Sequence, residues 1–102
     1  MVSENFRIEI VEDRPQLHVV RLVGELDIAA ADAVEDELVR MASPTVVADL
    51  GELSFIDAAG IGAIVGAKRE VEAAHHRLEL CGARSRVRLV FEVCGLADLL
   101  TG

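Results

Sequence analysis

The chain has 102 residues, which bounds it to a single domain, 1–102, around one modest core. Its 52% hydrophobic content is aliphatic, with three Phe and no Trp or Tyr, and this suits strands packed against helices. A formal net charge of −8 argues against nucleic acid, whose phosphates demand a basic face, and against anionic membrane surfaces.

The first five residues, Met1 to Asn5, are polar and acidic and lack the apolar stretch of a signal peptide. No apolar run approaches the length of a membrane span. Phe6, Ile8 and Ile10 alternate with Arg7 and Glu9, the period of a strand with one wet face. Glu12-Asp13-Arg14-Pro15 is a turn signal. Leu17 to Leu26 reads as the hairpin partner, ended or bent by Gly24. Asp27 is placed as a helix N-cap. Ile28, Ala31, Val34, Leu38 and Met41 then follow at helical spacing and predict one buried stripe, stopped by Ser43-Pro44.

Thr45 to Leu50 is nearly unbroken apolar sequence and predicts a central strand buried on both faces, with Gly51 to Ser54 as a loop. Asp57 to about His75 reads as a second helix, and Leu78, Leu80 and Cys81 as a strand closed by Gly82. Ser85 is placed to cap a third helix with Val87, Val90, Phe91 and Cys94 on one face and Gly95 as its C-terminal cap. Leu96, Leu99 and Leu100 suggest a last helical turn. The order is β-β-α-β-α-β-α, an α/β fold with a mostly four-stranded mixed sheet and three to four helices.

Cys81 and Cys94 form no Cys-x-x-Cys pair and read as reduced, small core residues in a reducing cytosol. His75 and His76 point in different directions on a helix and have no third ligand nearby, so they read as helix-end residues rather than a metal pair. His18 has no evident partner in sequence. There is no P-loop, nucleophile elbow or defensible acid/base pair, so neither catalytic residue, metal nor cofactor is expected. Arg outnumbers Lys nine to one, a hint of a GC-rich bacterial genome.

The most informative stretch is Asp49-Leu50, then Phe55-Ile56-Asp57-Ala58-Ala59-Gly60-Ile61-Gly62. It has the form of a strand, a short acidic segment, a capping Asp and a helix opening on small residues. With Gly24-Glu25-Leu26-Asp27 it resembles the STAS domain, and specifically the anti-sigma factor antagonists, over nearly the whole chain from Phe6. The resemblance implies a cytoplasmic protein-interaction module and no enzyme. It implies binding to an anti-sigma factor with a kinase-like ATP-binding fold, which releases a sigma factor for transcription. The implied partner-binding residues are Asp27, Asp57, Ala58, Ala59, Gly60, Gly62 and Ala63.

In that family the motif reads Asp-Ser-Ser/Thr-Gly and the kinase phosphorylates the second hydroxyl residue. Here that position is Ala59, preceded by Ala58, so the acceptor oxygen is absent. An Asp57 phosphoacceptor would need a Mg²⁺ pocket to which Asp27 and Asp49 could contribute, but capping alone explains the residue. Gly60, Gly62 and Gly66 each cost up to about 1 kcal/mol in a helix relative to Ala, so either close packing on the sheet or close approach of a partner must compensate. Two alternatives stay open. One is a STAS scaffold or regulatory subunit of a sensory complex or transporter; the other is a small-anion or nucleotide binder at the helix start.

Overall fold

A computed structural model describes residues 2–3, 5–41 and 43–101; positions 1, 4, 42 and 102 of the domain lie outside it. The order is β1 (Val2–Ser3), β2 (Phe6–Arg14), β3 (Leu17–Leu26), α1 (Ile28–Arg40), β4 (Thr45–Ile56), α2 (Ala58–Ala73), β5 (Arg77–Cys81), α3 (Ser85–Val93), a 3-10 turn (Ala97–Leu99) and β6 (Leu100–Thr101). The six strands form one sheet in sequence order. The β1–β2 and β2–β3 pairs are antiparallel, and β3 to β6 are parallel. The four expected strands are β2 to β5, and the two additions are two-residue edge strands. Leu100, expected in the last helical turn, belongs to β6.

One side of the sheet carries the core. Val20, Ala48 and Leu80 lie in one row across β3, β4 and β5, and each is fully buried. The next row, Arg21, Asp49 and Cys81, faces the other way and is half-buried. The expectation that β4 is buried on both faces is therefore corrected. Thr45, Val47 and Asp49 stand on a side open enough to hold charge, and Arg21 bridges Glu9 at 3.6 Å and Asp49 at 3.5 Å there. His18, without a partner in sequence, meets its register partner Asp13 across the hairpin, with Nε2 2.6 Å from Oδ1.

β4 does not stop at Leu50. The predicted loop at Gly51 to Ser54 is strand, because β3 continues beside it and pairs as far as Leu26 with Ile56. Two register shifts absorb the glycines and the charged residues along the way. Gly24 is at one of them, with φ of 99°. A Cβ there would stand 2.1 Å from the Asn5 carbonyl oxygen, which accepts the Glu25 N–H at 2.8 Å.

The helices end as a chain of these residues must. Gly95, at φ 73°, closes α3: its N–H donates to the Glu92 carbonyl and the Leu96 N–H to that of Phe91. α2 closes the same way without a glycine. His75 takes φ 63°, the His75 N–H donates to Glu72 and the His76 N–H to Val71. Ser85 is not the cap of α3. It is the first helical residue, and the capping position belongs to Arg84, whose side chain makes no capping bond. Cys94 is exposed rather than in the core, because the helical face buries Val87 and Phe91 and turns past it. Cys81 is half-buried on the open row, where burial and then the Asp49 and Glu79 carboxylates push its thiol pKa up.

Gly24→Ala is expected to destabilise the fold by about 1–3 kcal/mol, from backbone strain added to the Asn5 clash, as a lower midpoint in urea. Alkylation by iodoacetamide at neutral pH should label Cys94 well before Cys81, because a raised pKa leaves less thiolate at Cys81. Peptide mass mapping over time reads the order.

Candidate functional site

The site follows from the end of the β3–β4 pairing. Leu26 and Ile56 are register partners, and each is followed by an aspartate that opens a helix. Asp27 and Asp57 adopt nearly the same extended backbone, φ −114° and ψ −172° against φ −116° and ψ −174°. Asp27 Oδ1 accepts the Ala29 N–H at 3.0 Å, and Asp57 Oδ1 accepts the Gly60 N–H at 2.9 Å. Both aspartates are half-buried. Two helix N-termini thus open side by side at one end of the sheet, each already holding a carboxylate at its positive end.

Gly60 locks α2 to this end. A Cβ on it would stand 2.4 Å from the Leu26 carbonyl oxygen and 2.8 Å from Ile56 Cγ1. The same Leu26 carbonyl accepts the Asp57 N–H at 3.4 Å. Gly66 lies against α1: the Glu35 carboxylate occupies the space near its missing Cβ, at 2.5 Å. Gly62 is different, since a Cβ there would meet nothing within 4 Å. Close packing against backbone accounts for Gly60, the Glu35 side chain at Gly66 can swing aside, and Gly62 is left unexplained by packing.

Of the residues implied as partner-binding, Asp27, Asp57, Ala58, Ala59 and Gly62 reach the surface. Ala58 and Gly62 are exposed and Ala59 is half-buried against the core. Gly60 and Ala63 are buried, so they shape the surface from beneath. Two exposed apolar residues that were not expected at the surface flank this end of the sheet. Ile28, expected in the buried stripe of α1, is 79% exposed, and Phe55 is 43% exposed. Ile28 is the first residue of its helix, two positions after the last paired residue of β3. Its position directly after a capping Asp was the available signal.

Asp49 is not brought to this site. It sits on the open row, where its carboxylate accepts the Gly51 N–H at 2.8 Å. Ser54 is exposed, and its hydroxyl donates to the Gly24 carbonyl at 3.2 Å. Among the described residues no group of three or more His, Cys, Asp and Glu could hold a metal ion.

A paired strand end that presents two capped helix starts, on an α/β sheet of this order, defines a class: the chain belongs to the STAS domain family, whose model matches residues 9–101. Within that family, curated relatives at up to 34% identity are named anti-sigma factor antagonists. The anti-sigma-B factor antagonist of Listeria monocytogenes is 34% identical over 100 residues, covering 94% of this chain and 87% of that one. The structure of the anti-sigma factor antagonist SpoIIAA in its unphosphorylated form superposes with a TM-score of 0.77 at 32% identity, covering 94% of this chain and 85% of that one. The Bacillus cell fate determinant SpoIIAA in the phosphorylated form superposes with a TM-score of 0.68 at 31% identity, covering 94% and 88%.

Asp57→Ala should cost about 1 kcal/mol of stability through the lost cap, whereas Asp57→Asn, which keeps an accepting oxygen, should stay within a few tenths. Urea melts of the two variants separate the capping role of Asp57 from its charge.

Proposed function

We propose that this chain binds an anti-sigma factor through the paired helix starts and so frees a sigma factor for transcription. The observation that carries this reading is the pairing of two findings. Relatives of about one-third identity, matched over nearly the full chain, are anti-sigma factor antagonists, and the motif residues Asp27, Asp57, Ala58 and Gly62 lie together at the surface. The partner implied by the resemblance has a kinase-like ATP-binding fold. The encounter is one of proteins in the cytoplasm; among the described residues no helix is long and apolar enough to cross a membrane.

The same geometry supplies a physical account of control. A phosphate two residues past the Asp57 cap would add roughly two negative charges beside two carboxylates. It would repel them and oppose a partner surface fitted to the unmodified helix start. Ala59 has no oxygen to accept that phosphate, so this chain acts as an antagonist without the brake at that position. Its activity is then set by its own abundance or by its partner.

The test begins with capture from the native cytosol with ATP present, followed by titration calorimetry against the anti-sigma factor retained. Ala59→Glu should weaken binding by at least about tenfold, since like charges brought together at an interface cost several kcal/mol. Unchanged affinity would remove the helix start from the interface.

A further inference from the structure

β4 outruns β5. It pairs with β5 only from Thr45 to Asp49, opposite Arg77 to Cys81, while its pairing with β3 continues to Ile56. The segment 51–55 therefore has one edge with no strand beside it, and such an edge is a template for another extended chain. The start of α3 faces this edge across an open groove. One hollow of about 230 Å³ is lined by Gly51, Glu52, Leu53, Ser54, Arg84 and Arg86. A second of about 360 Å³ continues it along Glu25, Ser54, Phe55 and Arg86.

In a chain of net charge −8 this groove is charge-balanced, with Arg84 and Arg86 against Glu25 and Glu52. Arg7, Arg14, Arg21, Arg40 and Arg77 all pair with carboxylates. Arg84 and Arg86 are exposed and form no ion pair among the described residues, in a chain with 18 Asp and Glu. Glu25 and Glu52 line the hollows without pairing to them. The first turn of α3 adds N–H groups that no side chain caps.

We infer that this groove takes an extended acidic segment of a partner protein, added as a strand along residues 51–55 with its carboxylates on Arg84 and Arg86. Backbone hydrogen bonds to the free edge of β4 hold the segment, and the guanidinium groups select acidic side chains. Phe55 gives an apolar contact at the end nearest Asp57. The groove shares Glu25 and Phe55 with the motif stretches but uses none of Asp27, Asp57, Ala58, Ala59, Gly60, Gly62 and Ala63, so its test is separate from that of the anti-sigma reading.

The experiment is a titration of the ¹⁵N-labelled full chain, followed by NMR, with the capped peptide acetyl-Val-Glu-Val-Glu-Val-amide at low salt. Saturable shifts confined to the amides of 51–55 and 84–86, with a Kd below about 1 mM, are expected. The double variant Arg84→Glu/Arg86→Glu, its fold checked in the same spectra, should weaken binding at least about tenfold. A peptide with Lys in place of Glu should cause no shift. A peptide N-methylated at every residue, which has no N–H to donate along either edge, should bind far more weakly. Four results each overturn the inference: no saturable shift, binding indifferent to the double variant, equal binding of the N-methylated peptide, or the same shifts produced by inorganic phosphate at similar affinity.

Discussion

The parallel pairing of β3 with β4, carried through to Leu26 and Ile56, is the constraint on which the surface depends. Because the two strands end in register, the two helices begin in register. Because each helix begins at an aspartate, the two caps stand at one end of the sheet with the same backbone geometry. Gly60 completes the arrangement. The missing Cβ lets the first turn of α2 lie against the Leu26 carbonyl, at a distance no other residue would allow without moving the helix. The exposure of Ala58 and Gly62, and the burial of Gly60 and Ala63, follow from how α2 is seated there.

That seating also decides the electrostatics. A helix N-terminus favours an anion, but here each terminus is closed by its own carboxylate. The positive ends are therefore already answered from within the chain. Any further negative charge on the first turn of α2 meets two aspartates and finds little left to attract it. Ala59 adds no charge to this first turn, and Ile28 and Phe55, close in sequence to the two capping aspartates, are exposed apolar residues.

The rest of the sheet is arranged so that strands do not invite indiscriminate pairing. β1 and β6 are two residues long, and β2 carries a bulge between Ile10 and Glu12 that breaks the edge. The open face is crossed by a charged row in which Arg21 bridges Glu9 and Asp49, so that Val19 and Val47 do not form an unbroken apolar surface. The overhang of β4 beyond β5 is the exception, and there Arg84 and Arg86 stand beside Glu25 and Glu52, unpaired among the described residues.

Local sequence determined most of the framework. Alternation at Phe6, Ile8 and Ile10, the run from Leu17 to Leu26, the aspartates before two helices and the glycine after the third all act within a few residues, through pleat, cap and positive φ, and the structure has the corresponding strands, caps and turns. The motif residues could be named from the same short range. What lay beyond it was set by tertiary neighbours. Gly51 to Ser54 is strand only because β3 runs alongside. Asp49 tolerates its place in a central strand because Arg21 stands next to it on a face that no local pattern marks as open. Ile28 fits a helical stripe in sequence yet is exposed at the helix start, and Gly60 and Gly62 look alike in sequence although a Cβ on one would meet a carbonyl and on the other nothing within 4 Å. Periodicity tells which side of an element is apolar; only the packing of distant segments tells where the core beneath that side ends.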